Sequence, residues 1–146
     1  MAKLPYSWNK VSPGDIISFV YENRDGRKLR RTILVLDPKL RNKAKNPSSQ
    51  YLVHGIQLEV SNQPTLTQMK TLLEQAGVTE IVDEQKKIYR VRLQSDAKGT
   101  YKKMKNIISK YGIYRSYSYD KARKSSVTLE DLRLPTQFVQ ELKNEN

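Results

Sequence analysis

Cysteine is absent from the 146 residues and histidine occurs once. Without cysteine there can be no disulfide and no thiolate metal site, and an intracellular site of synthesis is expected. With a single imidazole, a conventional zinc site or a histidine-based catalytic pair is hard to assemble. Long apolar runs are missing too, and nothing approaches the roughly 18 apolar residues of a membrane span. The opening residues Met1-Ala-Lys-Leu-Pro-Tyr-Ser-Trp8 lack the apolar stretch of a secretory signal. There is no P-loop, dinucleotide fingerprint or hydrolase elbow. The acidic neighbours Asp83-Glu84 and Glu130-Asp131 come without the companions that a metal site or an acid–base dyad requires. The expectation is a chain with no enzymatic activity, no catalytic residues, no cofactor, no metal and no membrane partner.

What the chain has in excess is positive charge, in two blocks. Met1–Gln50 carries 11 Lys and Arg against 4 Asp and Glu, and Lys87–Ser126 carries 12 against 2. Between them Tyr51–Lys86 runs 2 against 5, and the last twenty residues 2 against 4. The net charge is +12 and the pI about 9.9. Charge sorted in this way sets a strong field over part of a folded surface, for which polyanions are the natural partners.

The apolar pattern runs through both blocks and argues against global disorder. Pro13-Gly14 marks a turn, and Asp15–Glu22 then alternates as a strand, with Ile17, Phe19 and Tyr21 opposite Ile16, Ser18 and Val20. Asn23-Arg-Asp-Gly26 supplies a hairpin turn. The return strand Arg30–Leu36 ends at Asp37-Pro38, and its unbroken apolar stretch predicts cover on both sides, as in a small barrel. Leu40–Ser49 reads as a polar loop and Gln50–Val60 as a third strand. In that strand Leu52, His54, Ile56 and Leu58 lie opposite Tyr51, Val53 and Gln57, and Gly55 marks a bulge or close approach. A capping box at Thr65–Gln68 opens a helix closed by Gly77. Lys87–Leu93 alternates as a strand, and a second helix runs from a cap at Ser95 or Asp96 to Gly112. Its core face is Tyr101, Met104, Ile107, Ile108 and Tyr111, and its other face is lysine-rich. Ile113–Tyr119 fits a strand, with a tyrosine-rich loop as the alternative. Val127–Leu132 is a short strand or extended piece and Thr136–Lys143 a short terminal helix. The predicted fold class is α+β: a small bent antiparallel sheet or barrel with two to three packed helices. A single domain 1–146 divides into barrel-like strands (1–60), a helix–strand–helix–strand element (61–126) and a closing strand and helix (127–146).

The candidate binding residues fall in three groups. Arg24, Arg27, Lys28, Arg30 and Arg31 crowd the first hairpin, where guanidinium groups can grip oxyanions bidentately or merely solubilise an edge. In Tyr114–Lys124, the residues Arg115, Tyr117, Tyr119, Lys121, Arg123 and Lys124 interleave aromatic and basic side chains, as single-strand grooves do. Strand alternation alone would equally point Tyr117 and Tyr119 into the core, and both readings stand. Arg90 and Arg92, with Lys102 and Lys103 on the second helix, extend the patch or form a solvated face. His54, alternating with apolar neighbours, reads as a hydrogen-bonded core residue.

Two resemblances add to this. Pro13-Gly-Asp-Ile-Ile-Ser-Phe-Val-Tyr21 with Arg30-Arg-Thr-Ile-Leu-Val-Leu-Asp-Pro38 resembles the opening of SH3-like barrels of the PemK/MazF toxin family. The resemblance implies such a barrel, and it makes Arg31 the match for an arginine that contributes to RNA cleavage. Thr32 stands where that family has proline, and His54–Glu59 supplies no hydroxyl partner, so the barrel is expected without the nuclease. Tyr51-Leu-Val-His-Gly-Ile-Gln-Leu58, a following helix, and Tyr114-Arg-Ser-Tyr117 with Lys121 are similar to small SH3-like-barrel proteins of T4-type tailed phages, described as DNA-end or virion proteins. That resemblance implies a phage protein in the host cytoplasm or the virion. Its expected partner is nucleic acid, DNA ahead of RNA, held through phosphate contacts. The alternative is a structural virion component docking on acidic or virion proteins, and the third reading a toxin-like ribonuclease.

Overall fold

The computed structural model describes residues 3–44, 50–60, 63–64, 67–69, 71–72, 80–83, 88–92, 99–134 and 136–145. The strands are β1 (Lys3–Tyr6), β2 (Asp15–Glu22), β3 (Lys28–Arg41), β4 (Tyr51–Gln57), β5 (Glu59–Val60), β6 (Gln63–Pro64), β7 (Glu80–Asp83), β8 (Ile88–Arg92), β9 (Ile113–Ser118) and β10 (Val127–Arg133). A short 3-10 turn covers Trp8–Lys10. Helical residues 67–69 and 71–72 are called α1, followed by α2 (Thr100–Tyr111), α3 (Tyr119–Ala122) and α4 (Thr136–Glu145).

Six strands pair antiparallel in the order β9-β4-β3-β2-β10-β1. The molecule is thus a small α+β protein built on an antiparallel sheet. Beyond β1, the C-terminal end of β10 takes β8 in parallel, and β7 pairs with β8. Among the described residues no pairing joins β9 to β1 or β7, so the sheet is open.

Strand alternation sorts the apolar residues onto two faces as the sequence predicts. Ile16, Leu34, Leu36, Ile56 and Leu132 face α1, α2 and α4, which contribute Met69, Met104, Ile108, Phe138 and Leu142. Ile17, Phe19, Ile33, Val35, Val53 and Leu129 face the other way, under α3 and the Trp8 turn. Ile33 to Leu36 are all fully buried, which explains their unbroken apolar run. Each such side chain contributes about 1.5–3 kcal/mol relative to exposure. Ser18 and Thr32, opposite each other in β2 and β3, are buried but satisfy one another through a 2.8 Å hydroxyl pair. The carboxylate of Asp15, fully buried, takes Arg133 at 3.0 Å and the Ser12 amide at 3.0 Å.

Several boundaries differ from expectation. β3 continues through Asp37-Pro38 to Arg41, with register shifts on either side of Asp37. The third strand breaks at Leu58 into β4 and β5. β9 stops at Ser118, and Tyr119 opens α3, capped by Ser118 Oγ accepting from the Lys121 amide. β1, the Trp8 turn and β7 were not anticipated. The expected capping box, Gly77, and the caps Ser95 and Asp96 involve residues outside those described, as does Leu93 at the end of the expected fourth strand.

Candidate nucleic-acid interface

The β2–β3 turn is closed by Asn23 N–H donating to Arg27 O at 2.8 Å and Gly26 N–H to Asn23 O at 3.0 Å, with Gly26 at φ 82°. Arg24, Arg27 and Lys28 stand exposed around it. Two bonds across about a hundred residues bring this turn to the second basic block. The Tyr21 hydroxyl accepts from the Ser118 amide at 3.0 Å, and Ser125 Oγ accepts from the Val20 amide at 3.0 Å. β10 pairs with β2 at Ile17 and Ser18, short of Val20. The serine therefore satisfies an N–H that the sheet leaves over.

The result is a run of three joined concavities around α3. The first, of about 450 Å³, includes Arg24, Arg115 and Lys121 in its lining. The second, of about 290 Å³, shares Glu22 and Lys121 with the first and adds Lys28 and Lys124. The third, of about 440 Å³, shares Lys124 and Ser125 and adds Arg123 beside half-buried Tyr6 and Trp8. Six cations from both blocks thus form one belt, with Glu22 as the carboxylate among its lining residues. Rings hold some of them in place: Lys121 Nζ lies 5.4 Å from the Tyr21 ring centre and the Arg123 guanidinium 5.3 Å from that of Tyr119. Lys39 sits over Tyr51 at 4.8 Å and Tyr119 at 5.2 Å, adding a cation that the sequence reading missed. Such contacts contribute about 0.5–1 kcal/mol at exposed positions.

The other predicted residues are placed differently. Tyr117 and Tyr119 are both buried, Tyr117 as strand alternation in β9 would have it and Tyr119 as the first residue of α3, so the core reading holds for both rings. Tyr117 packs edge-on against Phe19 and Tyr21, with ring centres 5.5 and 5.0 Å away. Burial pushes its hydroxyl above the usual phenol value, against the opposing charges of Arg31 and Arg115. Arg31 is half-buried and donates to Asn23 Oδ1 at 3.1 Å, so it positions the turn rather than reaching outward. Arg30 donates to Thr128 Oγ1 of β10 at 3.2 Å, reaching over β2. Lys102 and Lys103 are exposed on α2, which packs on the opposite face of the sheet from α3. Arg90 and Arg92 lie in β8, and Arg92 is in register with Arg133, itself opposite Asp15. That is the far end of β2 from the turn, roughly 24 Å away at a strand rise of about 3.4 Å per residue. His54 is half-buried, its Nδ1 3.0 Å from Ser116 Oγ. The half-buried rings of Tyr6 and Trp8 in the third concavity carry no signal in the sequence, since Trp8 meets the Ser125 carbonyl, at 2.9 Å, only through the fold.

The chain matches no family model, no curated protein and no solved structure. Among the described residues no group of three or more His, Asp or Glu could hold a metal ion, and no helix is long and apolar enough to cross a membrane.

Proposed function

We propose that the protein binds nucleic acid without cleaving it, by laying a phosphate backbone along the belt around α3. The observation that carries this is the convergence of two sequence-distant basic blocks on one series of concavities. Arg24, Lys28, Arg115, Lys121, Arg123 and Lys124 line it against the carboxylate of Glu22. Contacts of this kind position a backbone and carry little base information, so binding is weakly sequence-specific. The resemblance of Tyr51–Leu58 and Tyr114–Lys121 to phage proteins supports DNA as the polymer and a phage setting. The double-sided burial of Ile33–Leu36 supports reading β2–β4 as part of an SH3-like barrel. The bond from one Arg31 amino group to Asn23 supports the absence of ribonuclease activity, since it ties that side chain to the hairpin turn.

Fluorescence anisotropy with mixed-sequence duplexes and single strands tests this reading. Log affinity should fall linearly with log salt, by about 0.9 per neutralised phosphate on duplex, giving a slope near 5 if all six cations engage. Absence of binding at about 50 mM salt would refute it. Cleavage of a mixed RNA that disappears in Arg31→Ala would refute the non-catalytic part.

A further inference from the structure

The first concavity differs from the rest of the belt in the hydrogen bonds its lining has already made. Tyr21 accepts from the Ser118 amide at 3.0 Å, which leaves its own O–H to donate. Asn23 gives its Oδ1 to Arg31 at 3.1 Å, which leaves its NH₂ to donate. Both residues line the cleft with Arg24, Arg115 and Lys121. Each of the two neutral oxygens already accepts one hydrogen bond, and each group keeps its O–H or N–H hydrogens to offer. Three cations stand with them against Glu22, the carboxylate in the same lining. A cleft of about 450 Å³ is in the size range of small-ligand sites and much smaller than a duplex. Donor-rich, cationic and small, it matches an acceptor-only group with several oxygens.

We propose that this cleft is a phosphate subsite that takes the phosphoryl group of a single nucleotide, with Arg24, Arg115 and Lys121 supplying charge and Tyr21 and Asn23 supplying directed hydrogen bonds. The proposal rests on the reading of the belt as phosphate-binding and gives one part of it a defined ligand. The phosphate can belong to a free mononucleotide or to a flexible single strand, since both present the same group. Asn23 is the most discriminating position. In Asn23→Asp the oxygen facing Arg31 is kept, while the donor facing the cleft becomes a carboxylate oxygen.

The test uses dTMP, thymidine and the tetranucleotide (dT)4, followed by amide chemical shifts of the labelled full chain. dTMP and (dT)4 should shift the amides of Asn23, Ser118 and Lys121, and thymidine should not. Asn23→Asp and Arg115→Gln should each weaken dTMP binding by about tenfold or more, as expected for a lost hydrogen bond to a charged group. The melting temperature of Asn23→Asp should be unchanged or higher. If dTMP shifts the cleft amides while mixed-sequence DNA does not bind, the subsite stands, its ligand is a small phosphate compound, and the nucleic-acid reading falls. If DNA binds but dTMP leaves the cleft amides unmoved, or if thymidine moves them equally, the subsite is overturned and the belt remains. Wild-type dTMP affinity in both variants overturns it as well.

Discussion

At position 117 a tyrosine differs from a phenylalanine by one oxygen, and that oxygen is buried with no hydrogen-bond partner in the structure. Removing it should cost little: Tyr117→Phe is expected within about 1 kcal/mol of wild type, or more stable, because an unsatisfied polar group leaves the core. Tyr117→Ala should lose about 3–5 kcal/mol, since the ring fills the space between Phe19 and Tyr21. Chemical denaturation at neutral pH measures both. The pH dependence has a definite sign. The folded state holds the phenol proton more tightly than the unfolded chain, whose value is 10.0. This contribution to stability is therefore complete below pH 10.0 and is lost as pH rises toward the folded value. Above about pH 10, wild type should lose stability faster than Tyr117→Phe. From the sequence, Tyr117 fitted a stacking platform as well as a core position, because period-two alternation says which residues share a face and not what covers it. The cover comes from the Trp8 turn and α3, neither of which announces itself locally. The exposed Arg24, Lys28, Lys121 and Lys124 could be picked out by charge alone.

Among the elements, β3 shows how pairing overrides a local stop signal. Asp37-Pro38 predicts an end, yet the strand runs on to Arg41. β3 pairs with β2 only as far as Leu34, and with β4 from Ile33 onward. Past Leu34, among the described residues, one edge of β3 pairs with no strand and takes only the Gly14 amide at Val35 O, and the shifts around Asp37 open a gap in the ladder on the other, where a residue without an N–H does least harm. Gly55 in β4 was legible, being the one glycine in an alternating apolar run. A Cβ built there would stand 2.6 Å from Leu34 O, a backbone atom that cannot swing aside. Gly55→Ala should therefore destabilise the protein by about 1–3 kcal/mol. The same variant should broaden amide signals along β3 and β4 before those of α4. The four-residue α3 was not legible, because so short a helix is held by Tyr119 and Ala122 in the core and by its Ser118 cap rather than by propensity.

For the whole molecule, a sequence counts charge by segment whereas the fold distributes it by face. The second basic block divides, its Arg115–Lys124 part joining the hairpin belt and its α2 lysines going to the other side. Paired substitutions should show the division. Lys121→Gln with Lys124→Gln should reduce the salt slope for duplex DNA by about two. Lys102→Gln with Lys103→Gln should leave it nearly unchanged at the same net charge. Anisotropy titrations between about 50 and 200 mM salt compare the two directly. The place of β10 in the sheet bears on how the molecule comes into being. It is the last of the described strands in sequence order, yet it stands between β2 on one edge and β1 and β8 on the other. Until residues 127–133 leave the ribosome, β2 has a bare edge, and the two parts of the sheet have nothing to join them. At about 5–20 residues per second, the arginine hairpin would be outside on the order of 10 s before that strand arrives. A nascent chain stalled after Ser126 should thus be digested by protease along β1 and β2 as readily as elsewhere, and become resistant only once β10 is released.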